Sequence, residues 1–391
     1  MANASAQYAG NIYLPQILKI GAGTSREIIP VLQELGLSKP FIVTDPFMAE
    51  CGYLEKITAP LTADNIAFGS FNDCIPDPTT DSINSALDSF NTADYDCIIC
   101  LGGGSSLDTG KALAVLARHG GHIQDYKFPN PVPKGYPIIA IPTTAGTGSE
   151  ATRVTVVTDT ATDEKLMCLG IGFLPTAALV DYELTLTMPF RLTADTGLDT
   201  LCHALEAYVS RKANAFTDPI ALECLRTVSQ YLTKACHHPD DHEARAAMML
   251  AATQGGIAFS NASVTLIHGM SRPIGAAFHV PHGMSNAMLL PRVTEYSVAG
   301  APERYAKAAR VMGFADAADG NDVANEKLVA RLYELCKDLE VPTLAQFGVK
   351  EETYSNLILT MSSQALASGS PGNNPVVPSE EDIVELYRKV W

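Results

Sequence analysis

The stretch Tyr95-Asp96-Cys97-Ile98-Ile99-Cys100-Leu101 runs directly into Gly102-Gly103-Gly104-Ser105-Ser106-Leu107-Asp108-Thr109-Gly110-Lys111-Ala112-Leu113-Ala114. A continuous apolar run bounded by glycine reads as a strand buried on both faces, the pattern of a parallel sheet. The glycines followed by helix-forming residues predict a tight turn into a helix. Bare backbone N–H groups at such a helix start can approach a pyrophosphate. The spacing is neither G-x-G-x-x-G nor a P-loop, so a turn without a ligand is the competing reading.

Similar strands lie on either side. Lys39-Pro40-Phe41-Ile42-Val43-Thr44-Asp45 is a short apolar strand closing in an acid. In doubly wound sheets ligands sit at the carboxyl ends of strands, where Asp45 can bond a ribose hydroxyl and repel a 2′-phosphate; a helix cap is the other role open to it. Tyr136 to Ile141 predicts a third strand, and it opens into Pro142-Thr143-Thr144-Ala145-Gly146-Thr147-Gly148-Ser149-Glu150, a loop rich in hydrogen-bonding groups. Asn11 to Ile20 favours extended structure before a helix over 24–35, and Thr152 to Thr158 and Ala177 to Asp181 are further strand-like runs. These elements define an α/β domain over residues 1–184.

Beyond Pro189 the pattern changes. Apolar-periodic segments take over: Thr196 to Ser210, Asp218 to Ala235, His242 to Phe259, Pro302 to Met312, Asn325 to Leu339, Thr353 to Ala367 and Ser379 to Val390, the last with a capping box of Ser379 and Asp382. Residues 185–391 are therefore expected to form an all-α domain. Within it Asp199 and His203 stand one turn apart on one helix face, and His268 and His282 follow in equally apolar surroundings. Carboxylate and imidazole groups there are costly without a partner, and a cation is one such partner; a surface pair or a satisfied core histidine is the plainer alternative.

The 391 residues carry 47% hydrophobic and 18% charged side chains, as in a globular protein of two domains. A net charge of -16 with no Lys/Arg cluster argues against nucleic acid as a partner. No apolar run is long enough to span a membrane, and Met1 to Gln7 lacks the basic start and apolar run of a signal peptide. The nine irregularly spaced cysteines point to a reduced, cytoplasmic protein, with Cys97 and Cys100 packed in the core rather than acting as a redox pair.

Taken in order, Gly102-Gly103-Gly104-Ser105 with Asp108 and Lys111, Pro142 to Glu150, Gly197-Leu198-Asp199 with His203 to Tyr208, His268-Gly269-Met270 and Pro281-His282-Gly283 resemble the iron-containing (group III) alcohol dehydrogenase family, to which lactaldehyde reductase and 1,3-propanediol dehydrogenase belong. The resemblance implies a Rossmann-like dinucleotide-binding domain and a helical metal and substrate domain. It makes Asp199, His203, His268 and His282 the metal ligands, with Fe²⁺ as the ion. Imidazole suits Zn²⁺ equally well. It places NAD against Gly103, Gly104, Ser105, Thr143, Thr144, Thr147 and Lys165, with Asp45 favouring NAD over NADP. The implied substrate is a small alcohol or aldehyde, and the implied assembly a dimer or larger homo-oligomer, with Asn11 to Ile20 available for strand exchange.

Two positions depart from the family pattern. Relatives often place a histidine four residues after the third ligand, where this chain has Arg272, whose guanidinium cannot act as a base near neutral pH. His279, solvent or a ribose hydroxyl is left to move the proton. Arg272 either pairs with a carboxylate or contacts an anionic group on the substrate. Asp77 replaces a common asparagine and adds to the disfavour of a phosphorylated ribose. A metal-dependent hydrolase or lyase using the same Asp/His cluster, and a non-catalytic nucleotide-binding protein, are the competing functions; the first leaves both loops without a role and the second leaves the four ligands without one.

Overall fold

Short apolar and β-branched runs form, in the computed structural model of the chain, a six-stranded sheet in the order β1-β8-β5-β4-β2-β3, parallel throughout. The structure describes residues 10–162 and 164–391. The N-terminal stretch Met1 to Gln7, on which the reading of a missing signal peptide rests, lies outside them. The strands are β1 (Ile17–Ile20), β2 (Pro40–Val43), β3 (Gly69–Phe71), β4 (Cys97–Gly102), β5 (Ile138–Pro142) and β8 (Ala177–Val180). Strands β2, β4, β5 and β8 are buried along their whole length, which explains why they read as continuous apolar runs rather than alternating ones. Helices α1 (Ile28–Leu35), α2 (Pro46–Glu50), α3 (Tyr53–Ala63), α4 (Thr80–Phe90) and α5 (Gly104–His119) complete this unit, Ile12–Thr187.

Successive side chains of a strand leave on opposite sides of the sheet. Cys97 and Cys100, three apart, accordingly enter two different apolar clusters and are both free thiols with no exposure. The run Thr152 to Thr158 does not join the main sheet. Val154–Thr158 (β6) pairs antiparallel with Lys165–Leu169 (β7) in a separate ribbon whose alternating burial marks one covered and one half-open face.

The second unit, Met188–Trp391, begins at residue 188 rather than 185. Its helices are α6 (Phe190–Val209), α7 (Thr217–His237), α8 (His242–Asn261), α9 (Leu266–Phe278), α10 (His282–Ser297), α11 (Pro302–Val311), α12 (Asn321–Asp338), α13 (Leu344–Phe347), α14 (Glu351–Ala367) and α15 (Glu380–Val390), the last started by the Ser379–Asp382 capping box. Helices α9 and α10 are absent from the periodic segments of the sequence for a physical reason. Pro273 and Pro291, residues that read as helix breaks in a sequence, lie inside them. No helix among the described residues is long and apolar enough to cross a membrane.

Candidate active site

Strand order assembles one group of candidate residues, within the unit Ile12–Thr187. Because β5, β4 and β2 are neighbours, with Gly102 opposite Pro142 and Cys100 opposite Val43, the loops leaving their carboxyl ends are adjacent. Gly102 turns with φ 144°, a conformation that an L side chain rarely adopts. A Cβ built there would lie 2.4 Å from Ser106 Oγ and 3.0 Å from Asp45 Oδ2. At Gly103 and Gly104 it would meet Thr144 Cγ2 at 3.3 Å and Thr147 Cγ2 at 3.0 Å. The missing side chains thus bring the start of α5 against the Thr/Gly loop. Gly103, Gly104, Thr144 and Thr147 come together as the sequence suggested, and Thr143 N donates to Gly102 O at 3.0 Å. The Thr144 hydroxyl is buried without a partner.

Asp45 takes the helix-cap role at α2, accepting from Met48 N at 3.1 Å, while its other oxygen accepts from Ser106 Oγ at 3.2 Å. The carboxylate thus caps one helix and stands beside the glycine turn. Asp77 forms an ion pair with Lys165 at 3.0 Å, and its backbone N–H donates to Ser105 Oγ at 3.2 Å, so Lys165 reaches the same turn. Beneath the loop, fully buried Lys111 donates to Ser149 Oγ at 2.7 Å, Thr152 Oγ1 at 3.0 Å and Val154 O at 2.9 Å. Asp108 accepts from Ser149 Oγ at 3.2 Å and Val156 N at 3.0 Å. Burial pushes the Lys111 ammonium down to about 8 and the Asp108 carboxyl upward.

Three helices of the other unit assemble the candidate metal ligands. Asp199 and His203 lie on α6, His268 in the first turn of α9 and His282 at the start of α10, and their ligand atoms all fall within 4.8 Å of one another. Asp199 Oδ1 stands 3.7 Å from His203 Nε2, 3.5 Å from His268 Nε2 and 3.8 Å from His282 Nε2. These gaps are too long for good hydrogen bonds. They are close to the separation of about 3.4 Å between two ligands that each stand about 2.1 Å from one ion. The donor set of one carboxylate and three imidazoles therefore fits Fe²⁺ or Zn²⁺. The His282 side chain is 46% exposed, whereas those of Asp199, His203 and His268 are buried, which leaves one side of the cluster open.

Two residues given no role in the sequence reading hold this set in place. Glu206, one turn beyond His203, pairs with His268 Nδ1 and accepts from Thr265 Oγ1 at 2.8 Å and Ile267 N at 2.7 Å. That bond turns His268 Nε2 toward the cluster, the usual service of a carboxylate behind a ligating histidine. Asn286, one turn after His282, donates to Asp199 Oδ1 at 2.7 Å and has its amide nitrogen 3.1 Å from His268 Nε2 and 3.2 Å from His282 Nε2. The i,i+3 and i,i+4 spacings were the available signal. His203 is stacked between Phe259, at 4.3 Å, and His268, at 4.6 Å.

Burial alone would raise the Asp199 carboxyl, but the imidazoles of His203, His282 and His268 hold it well below the usual carboxylate range. Burial also presses His268 down, yet Glu206 and Asp199 lift it to about 9, while burial takes His203 to about 3. The two carboxylates thus favour positive charge at the centre of the cluster. His279 is not part of it: it is exposed and ends α9 with φ 54°. Among the described residues Arg272 has no carboxylate within ion-pair distance; its guanidinium donates to Ser370 Oγ at 2.8 Å.

A buried carboxylate and three imidazoles with one open side have the form of a catalytic metal centre, and the chain's relatives agree. Residues 15–182 match the iron-containing alcohol dehydrogenases, and residues 193–391 match the C-terminal part of the Fe-containing alcohol dehydrogenase family. The chain belongs to the iron-containing alcohol dehydrogenase family and is an oxidoreductase. It is 34% identical to the NAD-dependent methanol dehydrogenase of Bacillus methanolicus over 97% of this chain and 99% of that protein. Among solved structures it is similar to a 1,3-propanediol oxidoreductase, with TM-score 0.94 and 31% identity over 98% of this chain and 100% of the other. It is also similar to the sulfoacetaldehyde reductase from Bifidobacterium kashiwanohense in complex with NAD+, with TM-score 0.87 and 27% identity over 98% and 99% of the two chains. The family match speaks against a hydrolase or lyase.

Proposed function

We propose that this enzyme transfers a hydride between NAD(H) and a small alcohol or aldehyde, with Asp199, His203, His268 and His282 holding Fe²⁺, or Zn²⁺ in its place. The observation that carries the reading is the gathering of three imidazole Nε2 atoms 3.5–3.8 Å from Asp199 Oδ1, a spacing that ligands of one ion share. When bound, the divalent ion supplies Lewis acidity to the carbonyl or alcohol oxygen and the nicotinamide supplies the hydride. The chain's own residues prepare for both. Glu206 fixes the orientation of His268, Asn286 tethers Asp199, and Phe259 packs against His203 and keeps water from that face.

Residues 12–187 are proposed as the dinucleotide-binding domain and residues 188–391 as the metal and substrate domain. The backbone N–H groups at Gly103, Gly104 and Ser105 bind the pyrophosphate at the start of α5, and Thr143, Thr144, Thr147 and Lys165 contact the cofactor. Asp45, whose carboxylate stands beside the glycine turn, favours NAD over NADP. The negative charge of Asp77 acts in the same direction, although its pairing with Lys165 weakens it. His279, exposed three residues before His282, exchanges the proton of the alcohol with solvent. The free cysteines among the described residues support a reducing, cytoplasmic setting. Leu18 and Ile20, exposed on edge strand β1, support a homo-oligomer formed through that edge. An NADH and NADPH oxidation screen over C2 to C4 aldehydes, with protein loaded separately with Fe²⁺ and Zn²⁺, tests the reading. Metal-dependent turnover with NADH preferred is expected; a higher kcat/KM with NADPH overturns the cofactor assignment.

A further inference from the structure

Among the described residues, four arginines of the helical unit form no ion pair, Arg211, Arg245, Arg272 and Arg310, and Arg245 and Arg272 differ in one respect. Arg245 is 2% exposed and donates to Pro239 O, Thr193 Oγ1 and Met188 O, so its guanidinium is satisfied by the fold. Arg272 donates to Ser370 Oγ at 2.8 Å, which uses one of five N–H groups. Although the chain has 43 acidic and 27 basic residues, no carboxylate among the described residues stands within ion-pair distance of it. Glu206, whose charge acts on it, has its oxygens engaged by His268, Thr265 and Ile267. A partly desolvated guanidinium fork with free donors is a receptor for a planar or tetrahedral anion.

The surroundings are built rather than incidental. Arg272 follows His268 by one helical turn and so shares its face of α9, about 6 Å along the axis. Gly269, between them, has no side chain where a Cβ would lie 2.8 Å from Pro371 Cδ, which lets the turn carrying Ser370 close onto the helix. That turn is fastened by Asn373 Nδ2 donating to Ser263 Oγ at 2.8 Å and Asn374 Nδ2 donating to Ser297 Oγ at 2.9 Å. Ser370, 5% exposed, is therefore a fixed hydroxyl beside a fixed cation.

We propose that Arg272 and Ser370 form an anion subsite, and that the substrate is a short aldehyde, or the corresponding alcohol, with a carboxylate or sulfonate two or so carbons from the reacting end. This rests on the hydride-transfer reading and names its substrate class. In the reducing direction the carbonyl carbon gains a hydride and its oxygen a proton, the nicotinamide is oxidised in exchange, and the anionic group does not react.

The test compares butanal with 4-oxobutanoate, which has a carboxylate where butanal has its methyl, using Fe²⁺-loaded enzyme and NADH. Wild type is expected to prefer 4-oxobutanoate in kcat/KM. Arg272→Ala should lower that preference about 10- to 100-fold, Arg272→Lys less, and Ser370→Ala least. Calorimetric binding of 4-hydroxybutanoate against butan-1-ol reads the subsite independently of turnover, and should show the same preference in wild type and its loss in Arg272→Ala. A wild-type preference for butanal and butan-1-ol, or equal losses on both members of each pair, overturns the subsite while leaving hydride transfer intact. Absence of turnover on both aldehydes with 4-hydroxybutanoate still bound through Arg272 supports the subsite and overturns hydride transfer.

Discussion

The glycine turn of residues 102–104 and the Asp199 cluster are built by opposite means. The first is made by omission: at Gly102, Gly103 and Gly104 a Cβ would press on Ser106, Thr144 and Thr147, so function there depends on bare backbone. The second is made by ionisable side chains on three helices, each needing support that the backbone cannot provide. Glu206 and Asn286 give that support. Mutations in the turn should therefore act through space and strain, and mutations in the cluster through charge and metal affinity.

The largest effect is expected for Asp199→Asn, which removes the one anionic ligand. Zn²⁺ affinity, read by competition with a chelator, should fall by more than about 100-fold while NADH binding, read by fluorescence, is retained. Glu206→Gln should lower Zn²⁺ affinity about 10- to 100-fold, again without loss of NADH binding. Unchanged affinity would show that the carboxylate behind His268 is dispensable. Gly102→Ala should act in reverse. Strain at φ 144° and contact with Ser106 should cost about 1–3 kcal/mol of stability and weaken NADH binding, with Zn²⁺ affinity kept.

The smallest effect is a pH dependence. Burial lowers Lys111 from 10.5 to about 8. Between those values the unfolded chain still carries a proton that the folded chain has released, so the contribution of Lys111 to unfolding free energy rises with pH across that window. Below about pH 8 the cost of the buried charge is fully present. Urea melts of wild type and Lys111→Met across about pH 7 to 10 should show the wild type gaining relative to the variant as pH rises. A constant difference would mean that Lys111 keeps its proton throughout.

The same contrast governs what was legible in the sequence. Buried parallel strands and their glycine-rich exits announce themselves locally, so β2, β4, β5 and the loops after them could be placed from short runs of residues. The four histidine and aspartate positions were visible as residue types and, for Asp199 and His203, as a helical spacing. What supports them was not visible. Glu206 meets His268 across 62 residues and Asn286 meets Asp199 across 87. Such partners are set by how α6, α9 and α10 pack. The ribbon of β6 and β7 was only half legible, because Lys165–Leu169 begins with a charged residue and, unlike Val154–Thr158, holds no β-branched residue. Arg272 was recognised as unusual, with its partner open between a carboxylate and a substrate anion; the hydroxyl of Ser370, 98 residues away, could not be read beside it.

The central claim is that Asp199, His203, His268 and His282 hold the ion on which turnover depends. Its most direct test is an anaerobic titration of chelator-stripped enzyme with Fe²⁺ while NADH oxidation by a small aldehyde is followed. Activity should start near zero, rise linearly and level off at one ion per chain, with Asp199→Asn showing no such rise. Full activity in the stripped enzyme, or the same titration curve in Asp199→Asn, would contradict it.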